Sequence, residues 1–193
     1  MKPAAMGLEE VEISDLIEID LDGNKIEGER PSHSEVFIHT EIMRARPEVK
    51  CVVHTHPPHA VAFGSTKRPL LPVSHEGSLF ADGLPVFSET TDLIVTRELG
   101  EALACTLGQS RAALLQNHGL VAVGGSVAEA VMTAVLLERA CHVQLLAEGT
   151  GGAKAWTDKE EAAVKRERIY PPSAIEDAFA YYVRQTKRLK SKV

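Results

Sequence analysis

The stretch Val52-Val53-His54-Thr55-His56-Pro57-Pro58-His59 places three imidazoles within six positions, directly after a β-branched apolar run. Two chemistries are open to it. Residues i and i+2 of an extended segment point to the same face, so His54 and His56 can reach one divalent ion. The same side chains can instead form a polar loop bonded to backbone and water. A divalent site needs a third and often a fourth ligand. His118 stands at another break between apolar runs, Asn117-His118-Gly119, where the glycine lets the backbone turn sharply; taken alone it is a turn histidine. Glu35 ends Ser32-His33-Ser34-Glu35, an S-x-x-E pattern that predicts a capping box at a helix start. Near a metal the same carboxylate can act as a ligand or as a general acid or base. Ser34, His33 and the free N–H groups of that helix start can hold an anionic part of a substrate. His59, His75 and Glu76 are further substrate-binding candidates, polar residues in stretches that otherwise look buried or tightly turned. His39 and His142 fall inside predicted helices and read as helix-face histidines.

The elements that must position these residues follow from periodicity. Residues 16–27 alternate apolar and polar side chains on both sides of Asp22-Gly23-Asn24, which predicts a hairpin. Helical spacing of Val36, Phe37, Thr40 and Met43 predicts a helix from Ser32 to Arg46, stopping before Pro47. A strand over Val49–Val53 then ends at His54. Pro57 opens a short helix that Gly64 closes, so the histidine cluster sits at a strand-to-helix junction. Residues 77–86 read as a loop and 92–107 as an amphipathic helix. Arg111 to Val123 reads as two strands about the Asn-His-Gly break. Ser126 and Glu129 match a second capping box, opening the longest helix over 127–146. Beyond Gly149, Gly151 and Gly152 the chain becomes charged and weakly apolar, and 150–193 is expected as a C-terminal helical tail of one single domain spanning 1–193.

Composition narrows the function. The chain has 193 residues, 44% of them apolar, enough for one domain with a sizeable core. Lys and Arg total 21 against 27 Asp and Glu, and a net charge of -6 leaves no broad basic face for nucleic acid. The N-terminus lacks the apolar core and cleavage site of a signal peptide, and no run reads as a membrane span, so a cytoplasmic protein without a membrane partner is expected. Cys51, Cys105 and Cys141 are odd in number and widely spaced, which suits free thiols better than a disulfide framework.

Taken together, Pro31-Ser-His-Ser-Glu35, Val52-Val-His-Thr-His56 and Leu114-Leu-Gln-Asn-His-Gly-Leu-Val-Ala-Val-Gly124 resemble the class II aldolase and adducin family, over Val11 to about Ala147. The resemblance implies an α/β fold, a three-layer domain with a central mainly antiparallel sheet flanked by helices, assembled as a homotetramer. It implies a divalent metal on His54, His56 and His118, with zinc or manganese first and iron or cobalt also compatible. It makes Glu35 the catalytic acid/base residue. His56-Pro-Pro-His59 and Pro72-Val-Ser-His-Glu-Gly77 look most like a branch of decarboxylases acting on hydroxylated aromatic or pyridine dicarboxylates, which implies a metal-dependent carbon–carbon lyase with a small anionic substrate. Sugar-phosphate aldolases or epimerases are the alternative, although those favour two serines before the glutamate where this chain has His33-Ser34. A non-catalytic adducin-like interaction domain is the third reading. Family members carry a further stretch ahead of the hairpin, so the chain is expected to be N-terminally short.

Overall fold

A computed structural model describes residues 1–190 of the chain. Strands β1 (Glu18–Ile19) and β2 (Lys25–Glu27) form the expected antiparallel hairpin. The hairpin is fastened by its turn: Asp22 accepts from Arg44 at 2.9 Å and from Arg97 at 3.0 Å, so helices α1 (Val36–Ala45) and α3 (Arg97–Leu107) both hold it.

The main sheet has four strands in the order β3 (Cys51–Thr55), β6 (Gly119–Gly124), β5 (Ala112–Leu115) and β4 (Val86–Phe87). The β3–β6 and β6–β5 pairs are antiparallel and β5–β4 is parallel, so the mainly antiparallel sheet stands. Strands β5 and β6 read as continuous apolar runs because both of their faces are covered. With period 2, Ala112, Leu114, Leu120 and Ala122 face one core, together with Ala60, Phe63, Leu137 and Cys141. Ala113, Leu115, Val121 and Val123 face the other, together with Ile38, Ile42, Leu103 and Leu107. Helices α1 and α3 therefore cover one face, while α2 (Pro58–Gly64), α4 (Val127–Gly149) and α6 (Pro172–Lys190) build up the other. Three layers result, in an α/β domain.

Several expectations shift. Helix α1 starts at Val36, not Ser32, and the Ser32–Glu35 capping box does not form: Glu35 N–H donates instead to His33 Nδ1 at 3.2 Å. The Glu35 side chain is turned inward, 2% exposed, so it is not free to reach back to Ser32. Helix α3 starts at Arg97, where Thr96 accepts from Leu99 N–H, because residues 92–95 are needed as an extended connection alongside Glu35. The loop expected over 77–86 contains a 3-10 turn, Glu76–Phe80, and its last residue opens β4. The capping serine of α4 works as expected, Ser126 Oγ accepting from Glu129 N–H at 3.1 Å, but the Glu129 carboxylate accepts from Gly125 N–H rather than from Ser126.

Helix α4 is long and apolar enough, by length and composition, to cross a membrane, contrary to the sequence expectation. Its apolar residues are spent on β6, α2 and α6, as in the core helix of a globular domain. The expected tail is helical, as α5 (Lys159–Ile169) and α6, up to Lys190; residues 191–193 lie outside the described residues. All three cysteines are free, with Cys141 buried and its thiol pushed up to about 12 by burial and by the Glu138 charge.

The α1–α3 contact tolerates no side chain at Gly100, where an added Cβ would lie 2.7 Å from Phe37 O. Gly100→Ala is expected to cost about 1–3 kcal/mol in urea denaturation. Gly149→Ala, with nothing within 4 Å, should be neutral or slightly stabilising by the same measurement.

Candidate metal centre

Strand β3 alternates faces, so Val52 and His54 point to the side covered by α1 while Val53 points to the other. That periodicity aims His54 at the N-terminal end of α1, where Glu35 is the cap residue. The strand pairing brings in His118. Thr55 stands opposite Leu120 and Leu115 opposite Gly119, so residues 116–118 form a tight connection beside the end of β3. Asn117 takes φ 55, a left-handed conformation that asparagine tolerates better than most side chains. Gly119 is required by contact rather than by conformation: an added Cβ would lie 2.5 Å from Thr55 O and 2.7 Å from His56 Cδ2.

Glu35, His54, His56 and His118 thereby converge, one ligand atom of each lying within 4.8 Å of all the others. His56 Nε2 is 3.1 Å from His54 Nε2, His118 Nε2 is 3.4 Å from Glu35 Oε1, and His54 Nε2 is 3.5 Å from Glu35 Oε2. Ligand atoms around a four-coordinate zinc with bonds of about 2.0–2.1 Å stand about 3.3–3.4 Å apart. The three short separations cluster around that value.

The surrounding bonds orient the donors. His54 Nδ1–H donates to Leu120 O at 3.0 Å, which fixes the tautomer and leaves the Nε2 lone pair facing the cluster. Ile94 N–H donates to Glu35 Oε1 at 2.9 Å. Both ring nitrogens of His118 are buried without a hydrogen-bond partner, so its approach to Glu35 is electrostatic rather than an aligned hydrogen bond. An imidazole orphaned in this way among two other imidazoles and a carboxylate fits a divalent cation, which would satisfy its lone pair. Burial pushes the Glu35 carboxyl up, but the His118 and His54 rings and the Ile94 N–H outweigh it and hold the group well below the usual carboxylate range. His56 is pushed down by burial and by the neighbouring His54 and His118.

The remaining sequence candidates divide. His33 touches the site through the Glu35 backbone and lines a cavity of about 530 Å³ shared with His39, His54, Thr55 and Lys2. Ser34 is exposed. His59 is taken up elsewhere: its Nδ1–H donates to Glu138 Oε1 at 2.6 Å and its ring stacks on His142 with centroids 3.8 Å apart. His75 is exposed at the head of the 3-10 turn and Glu76 lies close enough to Tyr170 to act on its charge. Among the described residues neither forms a hydrogen bond or ion pair with the four-residue cluster, because the sheet separates chain segments that look alike in sequence.

Sequence reasoning missed Glu138. Its carboxylate accepts from His59 N–H at 3.2 Å, from Ala60 N–H at 2.8 Å and from the His59 ring. These bonds close the orphan donors at the start of α2. This fixes the segment that leaves His56, through Pro57 and Pro58, for the helix. The signal was a lone acidic residue in the apolar face of α4, where a charge needs a partner.

The profile for the Class II Aldolase and Adducin N-terminal domain matches residues 1–145. The chain is 38% identical over 154 residues to 4-hydroxy-3-prenylphenylpyruvate oxygenase/4-hydroxy-3-prenylbenzoate synthase of Streptomyces roseochromogenus subsp. oscitans, covering 79% of this chain and 56% of that protein. It is 38% identical over 151 residues to Decarboxylase NovR of Streptomyces niveus, covering 77% of this chain and 56% of the relative. It is 35% identical over 161 residues to 3,4-dihydroxyphthalate decarboxylase of Arthrobacter keyseri, covering 78% and 64%. The chain thus spans little more than half the length of the first two. Among solved structures, an aldolase II superfamily protein from Pseudomonas syringae superposes with TM-score 0.85 at 25% identity, over 97% of this chain and 77% of the other. An L-fuculose 1-phosphate aldolase superposes with TM-score 0.76 at 25% identity, over 87% and 78%.

Glu138→Ala leaves two backbone donors and one ring donor without their acceptor. The expected loss is about 1–3 kcal/mol in chemical denaturation, and Glu138→Gln, which retains one acceptor oxygen, should lose less.

Proposed function

Because the chain belongs to the class II aldolase and adducin family, we propose that it is a metal-dependent carbon–carbon lyase and that its substrate is a hydroxylated aromatic carboxylate from which it releases carbon dioxide. The observation that carries the metal reading is His118, whose two ring nitrogens are buried without partners at the centre of a four-donor cluster. The choice of reaction rests on the similarity to two decarboxylases.

In this reading His54, His56 and His118 would hold a divalent ion, zinc or manganese first, with Glu35 beside them as a further donor. When bound, the ion supplies electrophilic stabilisation for negative charge on a substrate oxygen. Glu35 starts as a carboxylate, since its pKa is held low. It takes the proton of the substrate's hydroxyl group, and returns that proton to the ring carbon from which carbon dioxide departs, so that the proton count closes within the site. Ile94 N–H keeps the Glu35 oxygen aimed through both transfers. The cavity of about 530 Å³ beside His54 receives the ring, with His33 and Lys2 near its anionic end. His33 is pushed below its ordinary value, first by burial, so it serves there as a neutral hydrogen-bonding group.

Aldol cleavage of a sugar phosphate is the second reading, favoured by the superposition on an L-fuculose 1-phosphate aldolase. It uses the same donors with Glu35 moving the proton of the ketose. The imidazole of His33, in place of a serine hydroxyl, makes the anion pocket beside Glu35 less suited to phosphate.

Metal analysis of the natively purified chain, with parallel assays of carbon dioxide release from dihydroxyphthalates and of aldol cleavage of sugar phosphates, tests the reading. About one divalent ion per chain and carbon dioxide release are expected. Absence of bound metal would sink both enzymatic readings. His118→Ala should weaken metal retention at least tenfold. Glu35→Gln should lower turnover about 10²–10⁴-fold, and unchanged turnover would reduce that residue to a structural cap.

A further inference from the structure

The end of the sheet opposite the four-donor cluster carries a second polar feature. Arg111 immediately precedes β5, whose other end leads into the His118 turn, so the length of the strand separates the two. Arg111 is half-buried, and among the described residues its guanidinium has no hydrogen-bond or ion-pair partner. Burial and the charge of Arg166 both weigh against this cation, and the charges of Glu129 and Asp82 offset them only in part.

The neighbouring cations are already engaged. Arg46 donates to Glu48 at 2.8 Å and to Ser110 O at 2.7 Å. Asp82 accepts from Arg166 at 2.6 Å and lies 3.4 Å from Lys159. Glu129 accepts from Gly125 N–H at 2.8 Å. Among the described residues Arg111 is thus the cation on these walls left without a partner, and it faces space. One cavity of about 690 Å³ is lined by Arg111 with Gln109, Ser110 and Gly124. A second of about 430 Å³ adjoins it through Leu79, Arg111, Glu129 and Arg166, and is walled by Tyr170, Pro171 and Ile175.

We propose that these adjoining cavities form a second small-molecule site, for a monocarboxylate with an apolar or aromatic body, whose carboxylate pairs with Arg111. A guanidinium presents a planar fork that matches a carboxylate with two parallel hydrogen bonds. A single carboxylate matches the one free guanidinium fork, whereas the Glu129, Asp82, Glu167 and Glu176 carboxylates on the same walls repel a dianion such as phosphate more strongly. The Tyr170, Pro171 and Ile175 wall removes apolar surface of the ligand from water. None of these residues belongs to the metal cluster, so the site stands apart from the metal-dependent reading.

Calorimetric titration of the full chain with benzoate, and separately with inorganic phosphate, tests the site. Benzoate should bind the wild-type chain, and Arg111→Ala should weaken it at least tenfold. Arg111→Lys, which keeps the charge but not the fork, should fall between the two. His118→Ala should bind benzoate as the wild type does, and phosphate should bind at least tenfold more weakly. Should Arg111→Ala fail to fold, Arg111→Gln serves the same comparison, with thermal unfolding as the check that it folds. No binding of benzoate to the wild type overturns the proposal, as does equal affinity in the Arg111 variants. Loss of benzoate binding in His118→Ala would assign the ligand to the metal cluster, and phosphate binding as tight as benzoate would overturn the ligand class.

Discussion

A carboxylate buried to 2% exposure is the constraint around which this domain is arranged. An ionised group taken out of water costs several kcal/mol unless donors and opposite charge are brought to it. Glu35 accepts the Ile94 N–H, and its oxygens lie 3.5 Å from the His54 ring and 3.4 Å from the His118 ring, so that a cation shared by Glu35 and the two rings would complete the compensation. The N–H and the two rings each come from a different part of the chain, namely the connection into α3, the central sheet's edge strand and the β5–β6 turn. Removing the Ile94 donor means moving residues 92–95, and those residues lead directly into the helix packed on α1. The site and the α1–α3 layer are therefore one mechanical unit.

The sheet supplies the second half of the arrangement. Pairing of β3 with β6 sets His54 level with Val121, and the short β5–β6 connection then has nowhere to put His118 except beside it. This works only because Gly119 lets the backbone come against Thr55 and the His56 ring. Beyond β3, Glu138 ties down the start of α2 and so limits how far His56 can move. Three donors on rigid elements, each with its own supporting bond or contact, give a preorganised cluster rather than three histidines that happen to be near. At the opposite end of the same strands the cations Arg46 and Arg166 are paired with carboxylates while Arg111, among the described residues, is not, which separates bonds that serve stability from a feature that stability does not explain.

Much of the fold was legible because its signals are local. The hairpin about Asp22-Gly23-Asn24, the capping serine at Ser126 and the alternation of Ala112 to Leu115 depend on neighbours two to four residues away. Helix starts were less legible. Ser32 to Glu35 has the pattern of a capping box, but the carboxylate points inward to the Ile94 N–H beside His54 and His118, all remote along the chain, and no local pattern announces them. The same competition moved the start of α3. His59 shows the same limit: its neighbours in sequence are site residues, while its partners in space, Glu138 and His142, lie on α4.

The amino-acid sequence by itself determined the donor types, the two-residue spacing of His54 and His56, the strand-turn-strand around His118 and the family motifs, since all of these are fixed by covalent order and backbone periodicity. Tertiary structure alone decided which of the polar residues meet. Glu35 joins the three histidines while His59, His75 and Glu76 do not, because convergence depends on strand order and register, on the close approach at Gly119 and on the cost of leaving a buried charge without partners.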